Sequence, residues 1–475
     1  MGSLGQYKLS QRIKVDKLRR REQLEKLLIQ QKLTPLQLLN KLSKDQTDKE
    51  IQKLLQKLDE TIFYHWYNEP PRTMIEIKTK VIRKYLDQLK NKLKAKEYYD
   101  LLRNKLKIPK AKVNAYLNWL KKPIAKTSVS SLLKFCEHLK INPRQLEEDN
   151  AFTIRFPINL KSPLLVKLKT HILNEGSLSL RWETIDRYKC KYVNKNPVLH
   201  WYVIKLLKEL GVENPNLPRY RQSEDDYEIN INATITRILR KIGVEPGHKT
   251  ITNPSLDPRI FTDPELRKYH FQATLTEEGS SSLRIKDGKL IMRITWGRSI
   301  DITDKLTPQQ IKTIKQLVPP PSSPNKRREI AVGKLLDKIQ NPNLLEYLTD
   351  LIETQQPNLF KSEIFLLSHF HGDVFKEKFS YPARINVSKE DRITLLWQTY
   401  IEKPSMLNII INEYGFLPGT WKAERLRRQL EIYRKYGNRK LNRKEVTEVE
   451  KLIDSIPDTV PKEWMMKKYH EFFEE

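Results

Sequence analysis

Apolar residues recur at three- and four-residue spacings, with basic residues between them, through "RREQLEKLLIQQ", "TPLQLLNKL" and "DKEIQKLLQKLDETIF". That periodicity predicts amphipathic helices over nearly all of residues 1–150. "TPLQ" supplies a Thr cap with Pro at the first helical position, and "NEPPRT" at 68–73 breaks the run between two helical parts. The texture changes from residue 152. "FTIRFPINLKSP" reads as an extended lead-in, after which period-two stretches alternate with helical ones to about residue 300. "VPPPSSPNKRR" at 318–328 is linker-like. Beyond it stand two strand candidates, "ARINVS" (383–388) and "RITLLWQTYI" (392–401), and a helical C-terminus turning at two prolines.

Within the helical region, "YYDLLRNKLKIPKAKVNAYLNWLKKPIAKTSVSSLLKFCEHLKINPRQLEE" has a finer order. One helix ends near Lys107 and a turn carries Ile108 and Pro109. A second helix holds Val113, Tyr116, Leu117 and Leu120; a third, capped by Thr127 or Ser128, carries Leu132, Leu133, Phe135 and Leu139. The stretch resembles the helix-turn-helix of phage repressors. That resemblance implies that Lys110, Lys112, Asn114 and Asn118 face bases or phosphates. An ordinary basic three-helix bundle is the alternative.

Charge adds a partner class. Lys and Arg total 88 against 58 acids, a formal net charge of +30. Self-repulsion on that scale is relieved by a polyanion, and double-stranded DNA, which releases counterions as its phosphates are neutralised, is the expected one. The two cysteines have no CxxC spacing and imply neither a zinc site nor a disulfide framework. An anionic membrane surface is the rival polyanion, but no apolar run is long enough to span a bilayer, and a cytoplasmic, nucleoid-associated protein with no membrane partner is the expectation.

Two segments carry the candidate chemistry. "LVKLKTHILNEGSLSLR" (165–181) and "LRKYHFQATLTEEGSSSLRI" (266–285) are both helical patterns that end in Glu-Gly-Ser and pass directly into a strand. The acids in register are Glu175 and Glu278. A carboxylate at a helix C-terminus opposes the helix dipole, so two such placements favour a functional or inherited role over a structural one. Thr170 and Ala273, on the helix faces, are small enough to let two helices approach closely.

These segments resemble the LAGLIDADG homing endonucleases of the single-chain, two-motif archaeal type. The likeness extends to the strands "SLSLRW" and "RYKCKYV", the helix "NPVLHWYVIKLLKELGV", the hairpin "PRYRQSEDDYEININA", the helix "TITRILRKIGV" and the closing segment 383–437. Thr170 and Ala273 stand where the family carries glycine, and Thr170, being β-branched, is expected to loosen the helix packing. The resemblance implies an α+β fold: a pseudo-twofold core of two αββαββα repeats, with an N-terminal all-α helix-turn-helix region and C-terminal helices.

The segments expected are a basic helical segment (1–70), the helix-turn-helix domain (71–150), a first repeat (151–257), a second repeat (258–437) with a helical insertion at about 304–380, and a helical tail (438–475). Glu175 and Glu278 would hold Mg²⁺ beside the scissile phosphates, and the strands would lie along the major groove. Arg181, Lys189, Lys191, Arg219, Arg221, Arg284, Lys286, Arg293 and Arg298 are the strand residues expected to face DNA. Gln222, Lys289, Arg293 and Arg298 are candidates for basic or polar groups near the metal.

Three functional readings follow: a Mg²⁺-dependent, site-specific DNA endonuclease, a non-cleaving DNA-binding regulator of transcription or replication, and a maturase-like protein that binds structured RNA. Two motifs in one chain predict a core that needs no second copy, leaving the N-terminal helices to recruit a protein partner. "SHFHGDV" (368–374) imitates the start of a metallo-β-lactamase site, but Val374 stands where the next histidine is required. Arg425, Arg427 and Arg428 offer either phosphate contacts or a solvated basic helix face. No Gly-rich phosphate loop occurs.

Overall fold

The computed structural model of the chain describes residues 62–88, 103, 113–114, 118–182, 187–321, 328–388, 390–437 and 439–474. They form two compact units. The first contains the described residues up to Ser162 together with Leu210–Asn214, and the second contains Pro163–Glu209 and the chain from Pro215 onward.

The first unit carries β1 (Phe63–Tyr64), β2 (Met74–Lys78), β3 (Ile124–Ser128) and β4 (Ile158–Asn159), with helices α1 (Thr79–Gln88), α2 (Val129–Leu139) and α3 (Pro143–Glu148). β1 pairs with β4 and β2 with β3, both antiparallel. The all-α expectation for this region is therefore corrected. "MIEIK" is a period-two run that buries Ile75 and Ile77 opposite Thr127 and Ala125, and five residues are too few to stand out from the surrounding helical periodicity. Ser128 caps α2 by accepting from the Ser131 amide. Of the helix-turn-helix residues, Lys110 and Lys112 lie outside the described residues, and Asn114 and Asn118 are exposed on helical backbone.

In the second unit a helix leads into each long hairpin. α4 (Pro163–Asn174) is followed by β5 (Gly176–Trp182), β6 (Arg187–Asn194), α5 (Pro197–Glu209), β7 (Arg219–Arg221), β8 (Asp226–Ile231) and α6 (Ala233–Lys241). The four strands form one antiparallel sheet in the order β5-β6-β8-β7. α7 (Pro264–Glu278) starts at Pro264 with Asp263 accepting from the Glu265 and Leu266 amides. It leads into β9 (Ser280–Lys286), β10 (Lys289–Thr295) and β11 (Gly297–Asp301).

The segment 304–380 holds α8 (Pro308–Leu317), β12 (Arg328–Ala331), α9 (Val332–Leu336), α10 (Pro342–Thr354) and α11 (Asn358–Phe370). It is not wholly helical as expected, because β12 forms the edge of a sheet. β13 (Ser380–Val387) and β14 (Ile393–Thr399) complete that antiparallel sheet, ordered β11-β14-β13-β12. The β9–β10 hairpin joins it through the Ile294–Ile401 bridge and the Thr399 amide, which donates to the Trp296 carbonyl.

α12 (Pro404–Ile409), α13 (Trp421–Tyr436), α14 (Arg443–Asp454) and α15 (Lys462–Phe473) close the chain. The tail packs through aromatic faces: Tyr469 stacks on Tyr227 at 4.8 Å, and Phe472 meets Trp201 at 5.3 Å. The architecture is α+β, with small antiparallel sheets covered by helices. Among the described residues no helix is long and apolar enough to cross a membrane.

Candidate active site between two acid-ended helices

α4 and α7 pack directly against each other. Ala273 and Thr170 are both buried at this contact. Thr170 does not loosen it: its hydroxyl donates back to the Val166 carbonyl (3.1 Å) and lies 3.4 Å from His270 Nδ1 on α7. The β-branched side chain is accommodated because its oxygen returns to its own helix.

Each helix ends at an acid followed by glycine, for the same steric reason. A Cβ on Gly176 would sit 2.6 Å from Ile172 Cα, and one on Gly279 would sit 2.5 Å from the Leu275 carbonyl oxygen. The chain turns so tightly from helix to strand that its own preceding turn fills the space where a side chain would stand. Glu175 and Glu278 are thereby fixed at corresponding corners, each half-buried.

The residues just before the acids join the helices. Glu277 is buried and accepts from His171 Nδ1 (2.6 Å), Asn174 Nδ2 (2.6 Å) and the Tyr192 hydroxyl (2.5 Å). His171 Nε2 lies 2.8 Å from the Tyr269 hydroxyl. All these groups are buried or nearly so, and each buried polar atom finds a partner across the helix contact.

Cations surround the acids. Lys249, on the short helix Lys249–Thr252, donates to the Asn174 carbonyl at the end of α4. Lys422, on α13, donates to the carbonyls of Glu277 (3.1 Å) and Gly279 (2.6 Å) at the end of α7. Each ammonium therefore sits at the negative end of one acid-bearing helix. Burial lowers the pKa of both lysines, and the charges of Glu175 and Glu278 partly restore it. Burial also pushes the Glu175 carboxyl up, and the charges of Glu278 and Glu277 add to this, to about 8 despite the opposing lysines.

Arg298, expected among the DNA-facing strand residues, is instead buried on β11. It donates to Glu278 Oε1 (3.0 Å), Asn174 Oδ1 (2.7 Å) and Glu363 Oε1 (2.9 Å). It is thus the one named basic candidate that lies at the acids. Gln222 and Lys289 are exposed, and Arg293 pairs with Glu402. The sequence reasoning missed Lys249 and Lys422. Lys249 follows the β7–β8 hairpin and Lys422 the β13–β14 hairpin, and nothing in their residue type marks them.

Other strand residues share faces. On the β5-β6-β8-β7 sheet, Lys189, Lys191, Arg219 and Arg221 lie on the side opposite buried Tyr188, Cys190, Tyr192 and Ile229. Lys191 pairs with Glu228, and Arg221 grips Asp226 through two 2.7 Å bonds. Arg181 contributes its backbone to β5. On the β9–β10 hairpin, Arg284, Lys286 and Arg293 alternate with buried Leu283, Met292 and Ile294. Glu402 bridges Arg284 and Arg293.

The two histidines of "SHFHGDV" part company: His369 stacks on Phe365, and His371 Nε2 is 2.8 Å from the Tyr414 hydroxyl. Arg425 is tied to Asp458, and Arg427 pairs with Glu431 on its own helix. Among the described residues no three His, Cys, Asp or Glu side chains gather to hold a metal.

No protein-family model matches the chain, and no curated protein matches it. Among solved structures, the crystal structure of the LAGLIDADG meganuclease I-AabMI bound to uncleaved DNA is similar at 8% sequence identity. That match covers 63% of this chain and 100% of that one, with a TM-score of 0.32.

Proposed function

We propose that the chain binds double-stranded DNA and cleaves it at specific sites by Mg²⁺-dependent phosphodiester hydrolysis, with Glu175 and Glu278 as the metal-holding acids. One observation carries this reading: two carboxylates at abutting helix ends, with Lys249 and Lys422 half-buried beside them. Here burial and like charge disfavour ionisation of Glu175, and a divalent cation would relieve both.

The donor set suits Mg²⁺, which takes only one or two carboxylates and completes its shell with water and phosphate oxygens. Bound there, it would neutralise charge developing on the phosphate and the leaving oxygen. The protein's own groups supply the rest. Lys249 and Lys422 add positive charge where the phosphate's charge grows, and the tight glycine turns hold the carboxylates in place. The basic sheet faces offer phosphate and base contacts along a groove.

In the same reading the two halves are related repeats, which the strand orders support. β5-β6-β8-β7 has its counterpart in β9, the β10–β11 run, β14 and β13. The helix-turn-helix is proposed as a further DNA contact.

The test is a cleavage selection over randomised duplexes with Mg²⁺, comparing wild type with E175Q and E278Q. Cleavage by the wild type alone supports the reading. Equal binding by all three with no cutting leaves a DNA-binding regulator, and stronger competition by structured RNA than by duplex DNA at matched salt favours the RNA-binding alternative.

A further inference from the structure

The insertion reaches into the site through one side chain. Glu363, on α11, is fully buried and accepts from Trp296 Nε1 (3.0 Å), His270 Nε2 (3.2 Å) and Arg298 Nη2 (2.9 Å). Arg298 divides its charge between this carboxylate and Glu278, which accepts from Nη1 at 3.0 Å.

Among the described residues the other half has no such arrangement. Ser177 and Ser280, each directly after its motif glycine, pair with Lys191 and Thr295. Three residues on from those partners stand Asn194 in the first half and Arg298 in the second. Asn194 turns back to its own chain, where its Oδ1 accepts from the Asn196 amide (2.8 Å) and its carbonyl oxygen faces His200 Nε2 (2.9 Å). An asparagine bound to the turn before the next helix thus stands where the second half has an arginine aimed at the acid.

We infer that Glu363 is a positioning residue for the Glu278 half of the site: by sharing Arg298 it keeps that arginine from fully neutralising Glu278, and it makes the two halves unequal. This rests on the proposed reading of Glu175 and Glu278 as cation-holding acids. Without the Glu363 charge, Arg298 has Glu278 as its one remaining carboxylate partner in the site and competes with a divalent cation for it. With it, Arg298 is anchored from behind, and Glu278 Oε2 remains available. The insertion therefore sets the charge balance at one acid and has no corresponding effect on the other.

The experiment is a Mn²⁺ titration of the full chain without DNA, followed by the electron paramagnetic resonance of free Mn²⁺. It compares wild type, E363Q, R298Q and the E363Q/R298Q double variant. E363Q should weaken Mn²⁺ binding about tenfold, within the range that contacting groups show in double-mutant cycles, and should change nothing when Arg298 is already Gln. Unchanged affinity in E363Q, an equal loss in both backgrounds, or no Mn²⁺ binding by the wild type would overturn the inference.

If E363Q fails to fold, the double variant removes both charges together. Mn²⁺ affinity matching R298Q then supports the inference, and weaker binding overturns it. On a cleaved duplex, E363Q should also accumulate more nicked intermediate than wild type, because one half slows and the other does not. Equal slowing of both cuts counts against it. A wild type that binds Mn²⁺ but cuts no duplex defeats the proposed function, while the four-protein comparison still decides the role of Glu363.

Discussion

Asn174 and Glu277, the residues immediately before the two acids, are hydrogen-bonded to each other: Asn174 Nδ2 donates to Glu277 Oε2 over 2.6 Å. The contact joins α4 to α7 at the level of the site, so that the positions of Glu175 and Glu278 depend on each other. Adjacent glutamates on α7 consequently have opposite jobs. Glu277 is a buried acceptor for three side-chain donors, and Glu278 is a half-buried acid facing cations.

E277Q and E175Q should therefore move stability in opposite directions, with E278Q between them. Hydrogen bonds to a buried charged group contribute about 1.5–3 kcal/mol each, and neutralising Glu277 weakens three of them, so E277Q should lower Tm clearly. E175Q should raise Tm, because it removes a carboxylate whose ionised form burial and the neighbouring acids disfavour. E278Q relieves part of the same repulsion but loses the Arg298 contact, and should leave Tm within a few degrees of wild type. Thermal unfolding of the three variants at neutral pH and without divalent cations checks the order. A Tm for E277Q at or above that of E278Q would contradict it.

Acid should unfold the second unit in two stages. Burial pulls His200 down from its ordinary 6.5 to about 4, between the rings of Tyr192 and Tyr227. The unfolded chain then binds the proton more readily, so this contribution is complete above pH 6.5 and is lost as pH falls toward 4, about 3 kcal/mol in all. Burial pushes the Glu363 carboxyl up, but the Arg298 charge and the His270 bond outweigh it and bring it to about 2. Its contribution is present above pH 4.5 and is lost between there and 2. Glu175 runs the other way: raised to about 8, it lowers stability as pH climbs from 4.5 to 8. Chemical unfolding at a series of pH values should show the first loss shrink in His200→Gln and the opposing decline between pH 4.5 and 8 vanish in E175Q.

Strand residues on one face should differ according to their partners. Arg219 is exposed on the edge strand β7, whereas Lys191 is already paired with Glu228. If the face meets duplex DNA, Arg219→Gln should reduce the log–log salt slope of binding by about 0.9. Lys191→Gln should reduce it by less, since part of that charge is spent on Glu228. Fluorescence anisotropy on one duplex across a salt series makes the comparison, and equal reductions would show that the Glu228 pair opens on binding.

What the sequence revealed followed from repetition and periodicity. Two Glu-Gly-Ser helix ends in register led to a correct pair of neighbouring helices, and long period-two runs such as "RITLLWQTYI" marked strands that formed. β2 and β3 were hidden because five-residue strands carry too few alternations to compete with surrounding basic helices. Arg298 was named both for the DNA-facing strands and for the site, because a one-residue step along a strand reverses its side and Trp296 between β10 and β11 makes the register there hard to count. Lys249 and Lys422 look like any of the chain's 88 basic residues; only the folding of distant segments onto the helix ends distinguishes them.

Those two lysines give the last prediction. Each ammonium satisfies carbonyls at the end of an acid-bearing helix and, at the same time, lowers the pKa of Glu175 against the push of burial. Lys249→Met and Lys422→Met should each raise the Glu175 pKa further, an effect visible as a shift of its side-chain carbonyl ¹³C titration to higher pH. In the proposed reaction the same substitutions remove positive charge beside the phosphate and should slow cleavage by roughly 10²–10³, the loss seen when one such stabilising group is removed. The two effects separate the roles. A shifted titration with unchanged cleavage would make the lysines helix-end caps only, whereas loss of cleavage with retained duplex binding places them in the chemistry.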